Sequence, residues 1–391
     1  MGLSSSGRLA SIDVVRGLAM VLMALDHARD FVYRDVHLDP VDLHVASPGL
    51  FLTRWISHFC APTFLLLAGV GAALAEQRGR SRRDLAWFLL TRGLWLIFLE
   101  LVVVRTTGWF WNLDFTFLPG WVLWALGWAM ITMAGLVFMP RAVVGLLAMA
   151  LIAGHHLFDG VGWGDHPSLG WLWVLLHESK SLTLGPVTWN LGYPLVPWVA
   201  VLWAGWVLGG IMQWEPARRR RLLVGLGLGS VVVFLAVRGL TSYGEPRPWE
   251  TFPSGWLTAL DFANCTKQPP SLCFLLMTLG PMLLFWAWLE GRAMPGWCGP
   301  LATVGRVPLF FYLVHLPLIH ALAAGWSWWQ FGAVQPWLFA NPEGFWDRGD
   351  FGLPLAGGYA VWLVVLLLLY PACVWFGEMK RRHPGGLLSY L

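Results

Sequence analysis

The chain has 391 residues, of which 57% are hydrophobic and only 12% charged, with a mean hydropathy of +0.61 and a formal charge of +4. Soluble domains carry about a quarter charged residues, so this composition excludes an ordinary soluble enzyme and reads as an integral membrane protein. The 28 tryptophans suit that class, because Trp gathers at membrane–water boundaries. Nucleic-acid binding is excluded, since the basic residues lie in short loops and form no separate domain.

The first apolar segment, 12–32, carries Arg16, Asp26 and His27 and has no small-residue cleavage site, so it is expected to be a retained helix rather than a signal peptide. Polar residues in an apolar helix carry a desolvation cost and need a reason. Arg16 and His27 are eleven residues apart, close to three helical turns, so Arg16, Met20, Met23 and His27 form one stripe. The two polar groups are then ~16 Å apart, about half of a bilayer core. Nine more segments are long enough to span: 54–75, 86–104, 119–138, 142–158, 193–213, 222–240, 271–290, 300–323 and 354–376. The Trp-rich stretch 324–340 is open between an eleventh, short or re-entrant element and a loop. The fold class expected is all-α, a single polytopic transmembrane helix bundle over residues 1–391 with about ten spans, or eleven.

The loops give a direction. With a cytoplasmic N-terminus, one side carries Arg8, Arg78, Arg80, Arg82, Arg83, Arg141, Arg218 to Arg221, Arg292 and Lys380 to Arg382, fourteen of the 26 basic residues. The other side carries most of the carboxylates, among them Asp35, Asp39, Asp42, Asp159, Asp165, Glu245, Glu250 and Asp261. An even number of spans places both termini inside, in a bacterial cytoplasmic membrane. The outward loops 33–53, 159–192, 241–270 and 324–353 are long and rich in Trp, Pro, Asp and His, so they are expected to fold over the membrane face as a binding surface. No GxGxxG after a strand, Walker sequence, CxxC or HExxH is present. Cys265 and Cys273 fall on the outward side, and the sequence leaves a disulfide and two free thiols as alternatives.

Several polar residues collect by depth. Arg54 and His58 lie at i, i+4 on the second segment, which brings His58 to the depth of His27, near Asp26 and Asp30. The ninth segment puts Arg306 near the inside and Tyr312 and His315 near mid-depth. Glu100 lies in the outer part of the third, and Lys267 just before the eighth. Arginines thus gather at inner ends (Arg16, Arg92, Arg306), where guanidinium suits phosphate, and histidines and carboxylates gather further out, where a neutral imidazole suits a general base. An arginine at a helix end also snorkels, and a lone intramembrane histidine also bridges helices; the second reading is preferred for His155 and His156. His37, His44, His166 and His177 read as loop residues, the first two close to the proposed site.

Five ordered blocks resemble a known family: Arg8 to His27 (Arg-Leu-Ala-Ser-Ile-Asp-Val-Val-Arg-Gly onward), Arg54 to Gly69, Tyr193-Pro-Leu-Val-Pro-Trp198, Asn264 to Leu272, and Gly305-Arg-Val-Pro-Leu-Phe-Phe-Tyr-Leu-Val-His315. They are similar to the bacterial membrane family related to heparan-alpha-glucosaminide N-acetyltransferase, and the Arg16–His27 spacing resembles the arginine–histidine signature of the wider transmembrane acyltransferase superfamily. The resemblance implies acetyl-CoA bound from the cytoplasm and an acyl group delivered to a hydroxyl or amine outside, with His27 as the catalytic histidine and Arg16 its partner. The lysosomal relative ends its first helix in Asn and has its catalytic histidine in the following outward segment, which leaves His37 and His44 as alternatives.

The combined expectation is a membrane acyltransferase. His27, assisted by His58, removes the acceptor proton or carries the acetyl group, and Asp26 or Asp30 orients an imidazole. Arg16, Arg306 and Arg92 bind CoA phosphates. Arg54, Lys267, Tyr312 and His315 complete the polar surroundings. No metal is expected, because no His/Cys/Asp cluster has ligand spacing. The partners expected are the lipid bilayer and a glycan or small-molecule acceptor, with a homodimer left open. The rivals are a proton-coupled small-molecule transporter, since intramembrane His, Asp and Arg also mark ion pathways, and a non-enzymatic assembly protein.

Overall fold

The computed structural model describes residues 10–383; Arg8 lies outside them. Helix α1 (Ala10–Val32) is followed by α2 (Pro48–Ser57), α3 (Cys60–Gln77) and α4 (Arg82–Phe98), which continues as a π-helix over Leu99–Trp109. Then come β1 (Phe117–Pro119), α5 (Val122–Leu136), α6 (Arg141–Gly154), α7 (Gly170–Leu176), β2 (Lys180–Leu184) and β3 (Val187–Leu191). The second half holds α8 (Leu195–Gly209), α9 (Pro216–Leu240), α10 (Gly255–Phe262), α11 (Leu272–Leu289), α12 (Cys298–Arg306), α13 (Pro308–Phe331), α14 (Pro342–Phe345) and α15 (Leu355–Arg382).

Among the described residues, eight helical stretches are long and apolar enough to cross a membrane, and α5 is a shorter apolar helix. The protein is a multi-pass membrane helix bundle. Helix α1 is not one of the eight. It carries Asp13, Arg16, Asp26, Arg29 and Asp30, and such a helix cannot face lipid. It lies instead inside the bundle, packed against α2, α3, α11, α12, α13 and α15. The lipid-exposed helices are α6, α9 and α15, whose apolar windows are only 22% buried.

Local chemistry fixes the ends. Ser47, Ser81 and Ser271 cap α2, α4 and α11 by accepting the N–H groups of Leu50, Asp84 and Phe274. Pro48, Pro216 and Pro308 occupy first-turn positions, where the missing N–H costs nothing. Helix α13 stops at Gly332, held at φ +72° in the left-handed region.

Close crossings at glycines carry the bundle. A Cβ on Gly17 of α1 would stand 1.9 Å from the Leu301 carbonyl oxygen of α12, and one on Gly305 would stand 1.9 Å from that of Asp13. Gly69 of α3 and Gly205 of α8 meet in the same reciprocal way, each 2.0 Å from a carbonyl oxygen opposite. Small residues let backbones touch where lipid gives no hydrophobic drive to association.

Four features depart from the sequence reading. The ninth segment is not one helix; it breaks at Val307 (φ −128°, ψ 49°), because Pro308 disfavours α geometry in the residue before it. The second begins earlier, at Pro48, and runs to Gln77 with only a short turn at His58 and Phe59 between α2 and α3. Residues 324–340 form no eleventh span, since α13 extends to Phe331 and only a short 3₁₀ turn, Pro336–Phe339, follows. The outward loops also contain a small sheet of order β1-β3-β2, parallel between β1 and β3 and antiparallel between β3 and β2. The β2–β3 turn is Gly185-Pro186, with Gly185 at φ +61° as a two-residue hairpin loop requires.

Helix ends collect on two faces. On one, Gln77 donates to the Gly209 carbonyl, Arg141 pairs with Glu76, and Arg219 pairs with Glu290, which also accepts from Ser11 and Trp286. On the other, the outward loops bond to one another. Leu353 donates to the Val32 carbonyl, Asn264 to that of Val41, and Trp55 to that of Ala263. Arg105, fully buried, gathers the carbonyls of Phe117, Asn112 and Asp114 together with the Asn341 side chain. These loops form a hydrogen-bonded layer over this face.

Candidate active site

Between the outward loops and the ends of α1 and α2 lies a cavity of about 660 Å³, lined by Arg29, Asp30, Arg54, His58, Lys267 and, at its rim, His44 and Glu250, among others. Its floor is a charged chain. Arg54 donates to Asp26 Oδ2, Arg29 Nη2 lies 3.0 Å from Asp26 Oδ1, and the same nitrogen donates to Asp30 Oδ1 at 2.5 Å. Two guanidiniums and two carboxylates thus neutralise one another at the outer end of α1. Arg29 belongs to this group although the sequence reading passed over it; its position three residues after Asp26 was the available signal.

Lys267 stands at the same wall, its ammonium 5.8 Å from the centre of the Tyr193 ring. Burial lowers it to about 8, and the neighbouring Arg54 guanidinium pushes in the same direction. His58 is buried against Phe274, with Nδ1 lacking a hydrogen-bond partner. Cys265 and Cys273, nearby on the outer side, are free and buried thiols, and burial raises Cys265 well above the ordinary thiol value.

His27, adjacent to Asp26, is oriented by an imidazole rather than by a carboxylate. Its Nδ1 lies 2.7 Å from Nε2 of His315, and the two rings stack with centres 5.0 Å apart. His315 is fully buried, and its Nδ1 faces the carbonyl oxygens of Tyr312 at 2.7 Å and Phe311 at 3.1 Å. A nitrogen between two carbonyl oxygens must carry the proton. With both imidazoles neutral, His315 Nε2 is an acceptor, His27 Nδ1–H donates to it, and His27 Nε2 keeps a free lone pair. His27 is half-buried, packed edge-on against Trp109 with ring centres 5.3 Å apart. Asp26 and Asp30, expected to orient an imidazole, are committed to Arg29 and Arg54.

At the inner end of α1, Arg16 Nη1 donates to the Gly305 carbonyl at 3.1 Å and to Asp13 Oδ1 at 3.4 Å, and Arg306 Nε lies 3.8 Å from Asp13 Oδ2. Two guanidiniums approach one carboxylate here, and the Arg306 side chain is 53% exposed. Arg92 lies on α4, which packs on α5 and α3, and its guanidinium sits over the Phe88 ring. Glu100, fully buried, accepts the Leu123 N–H at 2.6 Å and so caps the start of α5. His44 lies 3.1 Å from Glu250 at the exposed cavity rim, and His37 is exposed and not part of the lining.

The arrangement can accept a proton at His27 Nε2, hold an anion at the Arg16 end of the same helix, and receive a polar molecule at the Asp30 end. A family model described as "Heparan-alpha-glucosaminide N-acetyltransferase, catalytic" matches residues 8–243, more than half of the chain. That stretch includes Arg16, His27, Arg54 and His58, whereas Lys267, Arg306, Tyr312 and His315 lie beyond it. No curated protein matches the chain. The chain belongs to the heparan-alpha-glucosaminide N-acetyltransferase catalytic family, a family of membrane acetyltransferases.

Proposed function

We propose that the protein moves an acetyl group from cytoplasmic acetyl-CoA to a hydroxyl or amine of a glycan or small molecule at the outer face of a bacterial cytoplasmic membrane. In this reading ten helices cross the bilayer, the eight apolar ones together with α1 and α5, and both termini are cytoplasmic. The reading is carried by the hydrogen-bond direction through His315, which leaves His27 Nε2 as a free base on the helix that also bears Arg16.

Arg16 and Arg306 hold the phosphates of the donor at the inner end, where guanidinium matches phosphate and keeps its charge. The acceptor enters the outer cavity between Lys267, Arg54, Asp30 and His58. His27 Nε2 takes the acceptor's proton as its oxygen or nitrogen attacks the thioester carbonyl. The carbon–sulfur bond breaks, and the proton on His27 passes to the departing thiolate, so CoA leaves as the thiol and His27 is restored. His315 holds the His27 ring and tautomer through both transfers, and Tyr312 supplies one of the carbonyls that orients His315. The Arg54–Asp26–Arg29–Asp30 chain keeps the cavity floor neutral and rigid.

The test is His27→Ala in the detergent-purified protein, assayed with radiolabelled acetyl-CoA and the pool of cell-envelope glycans. Acetyl transfer should fall by about 10²–10⁴-fold, the usual contribution of a general base, while CoA still raises the thermal midpoint. Unchanged turnover would move the base to His44 or His58, and failure of the wild-type protein to bind CoA would end the reading.

A further inference from the structure

At the outer end of α6 a second histidine cluster stands apart from the acyl-transfer residues. His155 is 2% exposed, and among the described residues neither of its ring nitrogens has a hydrogen-bond partner. A buried imidazole with both nitrogens unsatisfied carries a free-energy penalty that a bound ligand would remove. The donor atoms of His155, His156 and Asp159 all lie within 4.8 Å of one another. His177, 18 residues beyond Asp159 in sequence, reaches the same place, its Nε2 3.3 Å from Asp159 Oδ1. His155 and Asp159, at i, i+4, already have ligand spacing in the sequence, and only His177 arrives from a distance.

The hydrogen bonds divide the four residues into two roles. His156 Nε2 accepts the Leu272 N–H at 3.0 Å, so its proton is on Nδ1, which donates to Asp159 Oδ2 at 2.5 Å. His156 is therefore committed to aiming the carboxylate. His155 and His177 keep nitrogens for a further partner, and their ring centres are 5.6 Å apart at 71°. Two imidazoles on one tetrahedral zinc ion hold their ring centres about 5 Å apart, and ligand atoms with bonds near 2.0–2.1 Å are separated by about 3.3–3.4 Å. The 3.3 Å between His177 Nε2 and Asp159 Oδ1 matches the second spacing, and the 5.6 Å between the two ring centres is slightly wider than the first.

We propose that His155, His177 and Asp159 bind one divalent transition-metal ion, zinc by its preference for imidazole and carboxylate, with His156 as the positioning residue behind Asp159. The Asp159 side chain is 37% exposed, so the remaining coordination position opens to the outer solution and takes water. Ligand, loop and helix are tied at one point. The ion joins the end of α6 to the segment carrying His177, and through His156 and Leu272 to the start of α11. A carboxylate held by an imidazole N–H is the usual second layer of such a site. The proposal does not depend on acetyl transfer.

The test uses the full-length protein, freed of any affinity tag, stripped with chelator and titrated with Zn²⁺ and with Co²⁺ as a spectroscopic substitute. One equivalent of metal should be retained after gel filtration, and Co²⁺ should give the visible absorption of a low-coordinate nitrogen–oxygen site. Asp159→Asn and His155→Phe should each lose that spectrum. His156→Gln should keep the stoichiometry and lower affinity by about 10–100-fold, as loss of an outer partner does. Asp159 is partly exposed, so its variant keeps the test decisive should the buried substitution fail to fold. Sub-stoichiometric metal in the wild-type protein, or a spectrum unchanged in Asp159→Asn, would overturn the proposal.

Discussion

A single hydrogen bond between His27 and His315 decides which nitrogen of His27 is basic. If His315 is replaced by Phe, the ring volume is kept but the acceptor for His27 Nδ1–H is lost, and both tautomers become accessible. Turnover of His315→Phe should fall by about 10–100-fold with the KM for acetyl-CoA unchanged, a smaller loss than removing His27 itself. The ¹⁵N shifts of the His27 ring should show a mixture of tautomers where the wild type shows one. Unaltered shifts and rates would mean that the two rings merely pack. Lys267 gives a pH signature at the same scale. Its ammonium loses its proton near pH 8, well below an ordinary lysine, because it is buried beside Arg54. An anionic acceptor held by that charge should bind more weakly as pH rises through 8, and the KM for it should stop responding to pH in Lys267→Met. The same depression means that the unfolded chain binds more protons between about pH 8 and 10.5, so this residue's contribution to stability grows with pH over that window.

Helix α1 keeps its place by a backbone contact at its inner end and by ion pairs at its outer end. Gly305→Ala would put a methyl group against the Asp13 carbonyl oxygen, and no flexible side chain is there to give way. The variant should lose about 1–3 kcal/mol, read as a lower thermal midpoint in detergent. Gly299→Ala on the same helix meets nothing within 4 Å and should be neutral or slightly stabilising. Equal behaviour of the two would show that the crossing is not tight. Much at this scale was legible in advance. The ten hydrophobic segments correspond to helices, because a bilayer-length apolar run has few other structures open to it. The break at Val307 was also written in the chain, as Pro308, but the apolar residues on both sides of it hid it. Partners were less legible than positions. Nothing local in the sequence says that Asp26 will meet Arg54 rather than a histidine, or that His315 will reach His27 across 288 residues. Those pairings follow from which helices become neighbours. The small sheet was overlooked for a related reason, since β1 joins β3 only after α5, α6 and α7 have intervened.

Across the whole molecule, the proposed function depends on sidedness. The proposed donor and acceptor sites at opposite ends of α1 make sense only if those ends face opposite compartments. The loop arginines Arg78, Arg80 and Arg83 lie on the face where α3 ends and α4 begins, whereas the β2–β3 hairpin belongs to the opposite layer of loops. All five native cysteines are buried, which leaves a quiet background for thiol labelling. Arg80 and Thr183 are both exposed, one on each face. With the positive loops cytoplasmic, Thr183→Cys should react with a membrane-impermeant maleimide in intact cells, and Arg80→Cys should react only after the membrane is opened. Labelling of both from outside would place the two faces in one compartment and remove the basis for transfer across the bilayer. Labelling of Arg80→Cys alone would invert the molecule. His27 would then lie toward the cytoplasm and the arginine pair outside, where acetyl-CoA is not supplied, so this one experiment bears on the direction of the reaction as well as on the fold.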